Sequence, residues 1–366
     1  MARLRILHVI TGLDAGGAES MLAALVTASP RDDFAHHVAS LKAGGVHAAA
    51  LRAAGIEVDE LGLTRQWPDP RALWHLVRLI RSTRPDLVQG WLYHGDLAAW
   101  LGLALSGRRR STRLAWSLRG SKLDLAEYRR GLRLAVGACT ALSRRPDIVI
   151  ANSRAGLAEH LALGYRPRRS AVIYNGVDIA RFSPDPAQKI EIRRTLGIGE
   201  TTPLIAHVAR MDPMKDHQTL LAAMRLIPEI HCLAIGTGTE NLPDLRNLHR
   251  LGRRDDVPRL LQAADVIVSS SAYGEGFSNA LAEGMAVGLP AVATDVGDAR
   301  ELVADTGVIV AARDPAALAA GIRSLVSEDG EAHRRRSEHS RNRIKENFSL
   351  ARAVAQFGDT YRELCD

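Results

Sequence analysis

Short apolar runs of strand length alternate with stretches of helical period along nearly the whole chain, and this alternation limits the fold more than any other feature. In the first half, RILHVI, HHVASL, IEVDEL, LVQGWL, RLAWSL, DIVIANS and SAVIYNG read as strands. Helical stretches lie between most of them, over residues 18–28, 70–82, 97–105 and 125–142. Strands separated by helices need crossover connections, which favour parallel pairing with helices on both faces of the sheet. The first half therefore predicts a doubly wound parallel α/β domain.

The alternation breaks at NGVDIARFSPDPAQ, where Asn175, Gly176 and Asp178 cluster with proline before a helical stretch. A second series follows, with strands PLIAHVAR, HCLAIG, DVIVSSS, PAVATD and GVIV interleaved with helices, and predicts a second Rossmann-like domain. A length of 366 residues suits two domains. The boundaries expected from these breaks are 1–185 and 186–345, with a tail helix over 346–366 that packs back on the first domain. The stretch from about 331 to 364 reads as one long polar helix with no strand after it.

Apolar residues make up 46% of the chain and charged ones 24%, so each half can bury a core. No apolar run approaches the roughly 20 residues that span a bilayer, and the amino terminus passes directly into a strand, so neither signal peptide nor anchor is expected. Cys139, Cys232 and Cys365 lack CxxC spacing and suit a reducing compartment, the cytoplasm. The formal charge is +7, unevenly spread: residues 78–169 hold 18 Lys or Arg against 6 Asp or Glu. That stretch predicts an anionic partner for the first half, weighed against a merely solvated Arg-rich surface. No nucleic-acid-binding motif accompanies it.

Open α/β sheets bind ligands beyond the carboxyl ends of their strands, so the loops after strands hold the candidates. After DVIVSSS comes Gly274-Glu275-Gly276-Phe277-Ser278-Asn279 and then a helix. Ser278 or Asn279 can cap that helix, and its free amides can take a phosphate or sugar oxygen. Glu275 and Glu283 can each accept hydrogen bonds from adjacent hydroxyls, one set on a sugar and the other on a ribose. The plainer reading is a first-turn acid favoured by the helix dipole and a second Glu on the wet face. After PLIAHVA, Arg210 and Lys215 can stabilise a leaving diphosphate, or else neutralise Asp212 and Asp216 in a surface turn. Gly16 and Gly17 in GLDAGGAES form a phosphate-type turn, and Gly236 and Gly238 in AIGTGTE a similar one, though each can equally be a bare strand-to-helix turn. In WLYHGDL, His94 and Asp96 stand where a strand gives way to a helix. His94 reads as a hydroxyl-binding or catalytic group, and Asp96 as an acceptor-binding residue or a helix cap.

Taken in order, GGAE, NGVD, VARMDPMKD, AIGTG and EGFSNALAEGMAVGLPAVAT resemble the retaining glycosyltransferases of family 4 over nearly the whole chain. The resemblance implies a GT-B fold of two Rossmann-like domains facing across a cleft, with the nucleotide-sugar donor on the second and a glycan or lipid-linked acceptor on the first. It implies a UDP- or GDP-sugar donor, retention of configuration, and neither metal nor other cofactor; the sequence shows no clear DxD, HExxH or Cys/His cluster. By the same resemblance, Arg210 and Lys215 hold the pyrophosphate, Glu275 the transferred sugar, Glu283 the ribose, Gly16 or Gly17 the distal phosphate, and the amides from Gly276 to Asn279 the sugar. It also implies a front-face reaction in which Glu275 positions the sugar without attacking it. One departure stands out: AWSLRGS places Arg119 where many members carry a histidine, which suits an acceptor phosphate. The pathway expected is cell-surface polysaccharide or lipopolysaccharide synthesis, with the basic first half in peripheral contact with an anionic membrane. The rival readings are a nucleotide-sugar 2-epimerase of the same fold and a nucleotide-binding module without catalysis.

Overall fold

The computed structural model describes residues 3–63, 70–121 and 130–366. The chain divides into two compact units: Met1–Gly176 with Leu350–Asp366, and Val177–Ser349.

Unit 1 runs β1 (Leu4–Ile10), α1 (Gly17–Ala28), β2 (Phe34–Ser40), α2 (Val46–Ala53), β3 (Glu57–Glu60), α3 (Pro70–Thr83), β4 (Leu87–Trp91), α4 (Leu92–Leu105), β5 (Arg113–Leu118), α5 (Arg130–Leu142), β6 (Ile148–Ala151), α6 (Arg154–Ala162) and β7 (Ser170–Val172). Its strands pair in parallel in the order β3-β2-β1-β4-β5-β6-β7. Alternate residues of each strand serve opposite faces. Ile6 and Ile10 join one core with Leu22 and Leu25 of α1, while Leu7 and Val9 join another with Leu76 and Ile80 of α3 and Leu103 of α4. Both faces are covered, which explains why the strands read as apolar runs and not as alternating patterns. Part of the helix expected over 125–142 lies outside the described residues; the described part is α5.

Unit 2 runs α7 (Pro186–Thr195), β8 (Leu204–Val208), α8 (His217–Leu226), β9 (His231–Ile235), β10 (Leu248–Gly252), α9 (Val257–Leu261), β11 (Val266–Ser269), α10 (Asn279–Ala286), β12 (Ala291–Thr294), α11 (Ala299–Val303), β13 (Gly307–Val310), α12 (Pro315–Val326) and α13 (Gly330–Asn347). The parallel strand order is β10-β9-β8-β11-β12-β13. Several helices start on acidic caps that accept the free amides of the first turn. Asp314 accepts from the Ala317 amide with Pro315 at the first position, and Asp216 accepts from the amide and hydroxyl of Thr219.

The last segment is not one helix. The helix α13 ends at Asn347, and a second one, α14 (Leu350–Cys365), belongs to unit 1. It buries Phe357, Tyr361 and Leu364 in the core that also holds Ile6, Ile10 and Trp91. The chain leaves unit 1 at Gly176 and not at 185. Gly176 is a tight seat: a Cβ there would collide with the Leu350 backbone at the start of α14.

Candidate active site

Each sheet has one point where the strand order reverses. In unit 2 it lies between β8 and β11, because the chain builds β9 and β10 to one side before returning for β11, β12 and β13 to the other. Loops at such a point diverge and leave a crevice beyond the carboxyl ends of the strands. The loops after β8 and β11 carry Arg210, Lys215, Glu275 and the start of α10.

Lys215 Nζ donates to Glu275 Oε1, and both side chains are largely buried. The partner is thus a carboxylate 60 residues on and not the adjacent Asp216, which instead caps α8. The same Oε1 accepts from Ser271 Oγ at 3.2 Å. The lysine loop is tied to the β11 loop by its backbone: Ala272 N donates to Met214 O at 2.8 Å and Ser270 Oγ to Lys215 O at 2.8 Å. Ser270 spends its proton there, so it accepts from Nε2 of the buried His207 at 3.1 Å. Burial, with His217 and Lys215 nearby, holds His207 well below the ordinary imidazole range and fixes it as a neutral donor. Arg210 is exposed and pairs with Asp212 at 2.9 Å, as the surface-turn reading has it, and its remaining donors face solvent.

The glycines of this site are close-approach positions. Gly274 has φ +80°, and a Cβ there would crowd the Met214 side chain. Gly236 and Gly238 have φ +143° and +91°, and a Cβ on Gly236 would overlap the Ala209 carbonyl beside Arg210. Gly297, not singled out by sequence, has φ +60° and lies against the Glu275 carbonyl. Asp298 N donates to Gly276 O at 3.0 Å, so the β12–α11 turn props the Glu275 turn from behind.

One expectation for α10 needs correction. Ser278 stands at the N-cap, but its side chain accepts no capping bond. The Phe277 ring is buried against Phe348, with centroids 5.4 Å apart, which leaves only its backbone to meet a ligand. Glu283 lies on α10, and burial raises its carboxyl to about 7 against the opposing pull of Arg181.

In unit 1 the strand order reverses between β1 and β4, where Gly16, Gly17, His94 and Asp96 gather. Gly16 is the extended N-cap of α1 and Gly17 its first residue, with the Glu19 carboxylate close against Gly16. The helix α4 starts at Leu92, five residues earlier than expected, so His94 lies in its first turn and Asp96 inside it. His94 is half-buried, and burial with Lys42 nearby lowers its pKa and favours the neutral ring. Asp96 is neither a cap nor accessible to an acceptor. It is wholly buried, its Oδ1 accepts from Ser117 N at 3.1 Å, and burial pushes its carboxyl well above the usual range. Arg119 follows β5 and stands over Trp91, its Cζ 4.1 Å from the ring centroid, with Nη1 donating to Asn175 Oδ1 at 3.1 Å. Burial lowers its pKa to about 10, and its Nε and Nη2 have no partner among the described residues.

The two loop systems fall in the spans of two matching families. Glycosyltransferase Family 4 matches residues 15–181, and Glycosyl transferases group 1 matches residues 202–328. The chain belongs to glycosyltransferase family 4. Its curated relatives include a D-inositol 3-phosphate glycosyltransferase of Geodermatophilus obscurus, 34% identical over 45% of this chain and 42% of the relative. Another is N-acetyl-alpha-D-glucosaminyl L-malate synthase of Bacillus anthracis, 28% identical over 60% of each. The alignments thus span about half the length of these relatives. Among solved structures, HepE of Anabaena in complex with UDP-glucose superposes with a TM-score of 0.84 at 22% identity, covering 99% of this chain and 100% of that one. Sucrose-phosphate synthase of Thermosynechococcus elongatus gives 0.79 at 20% identity, covering 99% of both. These likenesses show the GT-B fold.

In this family 4 chain, sequence reasoning passed over His207, Ser270, Ser271 and Gly297. The signal for the serines was present in the run SSS at the end of a strand, where polar side chains enter a ligand-binding loop. A histidine inside the apolar PLIAHVAR was a second signal, because a buried polar group needs a partner.

Proposed function

We propose that this chain is a retaining glycosyltransferase that moves a hexosyl or N-acetylhexosaminyl group from a UDP- or GDP-sugar to a glycan or lipid-linked acceptor. We place it in the cytoplasm, in peripheral contact with the inner face of the membrane, in cell-surface polysaccharide or lipopolysaccharide synthesis. The observation that carries the reading is the Lys215–Glu275 pair at the β8/β11 reversal, in loops that also carry Arg210 and lead into α10, the helix of Glu283. The UDP and UDP-glucose complexes of HepE support a UDP-sugar donor.

In this reading the pyrophosphate draws Lys215 away from Glu275 and takes Arg210 as a further donor, with Gly16 or Gly17 at the distal phosphate and the amides from Gly276 to Asn279 on the sugar. Charge that builds on the leaving phosphate is met by fixed cations, which stabilise the transition state more than the ground state. Glu275, freed from Lys215 and oriented by Ser271, accepts from the sugar hydroxyls, and Glu283 meets the ribose. The donor phosphate accepts the acceptor proton on the face from which it departs, so configuration is retained without a glycosyl-enzyme. His94 and Arg119 are the acceptor-side groups, Arg119 through its buried Nε and Nη2, unpartnered among the described residues.

A thermal-shift panel of UDP, GDP, ADP and their sugars identifies the donor. The right nucleotide at a hundred times its Kd stabilises the wild type by about 2.7 kcal/mol, and Glu283→Ala loses that shift. Glu275→Gln still binds nucleotide but transfers about 100- to 1000-fold more slowly. No nucleotide response in the wild type, or full turnover by Glu275→Gln, overturns the assignment. An epimer formed from the donor alone supports the isomerase instead.

A further inference from the structure

We propose that the amino-terminal edge of the unit 1 sheet binds phosphate groups, at a hollow of about 490 Å³ lined by Arg3, Arg5, Arg110 and Arg113. Arg3 and Arg5 enter or begin β1, and Arg110 and Arg113 lead into or begin β5. The hollow therefore lies at the opposite end of the strands from Gly16 and His94, and the inference does not depend on the donor reading.

Four guanidiniums line the hollow with one carboxylate, Asp86, and that carboxylate is engaged by Arg5 at 2.9 Å. Among the described residues the side chains of Arg3, Arg110 and Arg113 form no ion pair, and all three are exposed. Asp366 and Asp147 act on the lining Cys365 from beside the hollow, but the four guanidiniums outnumber the single lining carboxylate, and an excess of like charge favours an anion from outside. The edge continues with a second hollow of about 550 Å³ lined by Arg144, Arg166 and Arg168, just before β6 and β7. Arg166 is tied to the carbonyls of Leu161 and Tyr165, while Arg144 and Arg168 form no ion pair among the described residues. Neighbouring strands lie about 4.8 Å apart, so the edge from β1 across β4, β5 and β6 to β7 spans roughly 19 Å. That length suits several phosphates in a row better than one. Guanidinium forks match phosphate oxygens two at a time, whereas lysines would offer only point charges. Five of the 18 Lys and Arg in residues 78–169 line these two hollows.

Phosphate can reach this edge as phospholipid headgroups or as a soluble phosphorylated compound, and the test separates the two. Pyrophosphate is titrated calorimetrically, and vesicles of phosphatidylglycerol are co-sedimented against phosphatidylcholine, with wild type, Arg110→Ser/Arg113→Ser and Lys215→Ala. We expect the double variant to weaken binding of the responding probe by at least about tenfold and Lys215→Ala to leave it in place. Added salt should weaken it further. Retention of phosphatidylglycerol vesicles alone assigns the phosphates to lipid, and pyrophosphate binding alone to a soluble ligand. Should the double variant melt early, Arg110→Glu gives the same readout. Pyrophosphate binding that survives at the edge variant but fails in Lys215→Ala belongs to unit 2 and overturns the inference, as does a wild type that holds neither probe.

Discussion

Burial on α10 holds the Glu283 carboxyl at about 7, where a solvated glutamate ionises near 4.5. The folded chain therefore binds more protons than the unfolded one between those values, and its stability falls as pH rises through that window, levelling off above it. Glu283→Gln removes the titrating group. At pH 8 the variant should be more stable than the wild type by up to about 3 kcal/mol, with the difference vanishing near pH 4.5. Urea unfolding at pH 5, 6.5 and 8 measures this; an unchanged pH difference between the two proteins would place the titration on another group. At this scale the sequence was informative about identity and silent about partners. Arg210, Lys215 and Glu275 stood out because they follow strands in loops with glycine, and Glu283 because it lies on the helix that the last of those loops opens. That Lys215 pairs with Glu275, that Asp96 is walled in against Ser117 and that Arg119 lies on Trp91 depended on contacts between distant segments. No local pattern encodes them.

At the level of elements, the Glu275 turn is held by the β12–α11 turn through Gly297. Its φ of +60° and its contact with the Glu275 carbonyl leave no room for a methyl group. Gly297→Ala should cost about 1–2 kcal/mol and, because it displaces the backbone of Glu275, reduce transfer rate more than nucleotide affinity. Steady-state kinetics beside nucleotide titration checks this, and an unchanged kcat would show that the turn does not position Glu275. The strands of both sheets were readable where they are buried on both faces. The strand β10 was missed because it is an edge strand: LHRLG buries Leu248 and Gly252 while Arg250 is exposed and His249 is half-buried against His231, and so short a polar run looks like a loop. The early start of α4 was missed for a related reason. Tyr-His-Gly-Asp has the composition of a turn, yet Gly95 lets the helix press against the Val9 carbonyl, and tertiary packing overrides local preference there.

For the whole molecule, the carboxyl-terminal helix is part of unit 1's core, even though unit 2 separates it from the rest of that unit in sequence. Phe357 is fully buried and stacks 6.2 Å from Trp91. Phe357→Ala should therefore destabilise unit 1 by about 3–5 kcal/mol while leaving nucleotide affinity at low temperature unaltered. Calorimetry with and without nucleotide would separate these effects; a loss confined to the nucleotide-stabilised transition would contradict the placement. The amino-acid sequence by itself determined the α/β class, the doubling into two Rossmann-like domains and the glycine-bearing loops that follow β8 and β11, because periodicity, glycine and loop charge act over a few neighbouring residues. Tertiary structure alone decided where the chain crosses between units, which carboxylate receives Lys215, and which of the polar residues beside β4 is sealed from solvent. Those outcomes depend on burial and pairing between segments tens to hundreds of residues apart, and they have a defined energy only once the sheets have formed.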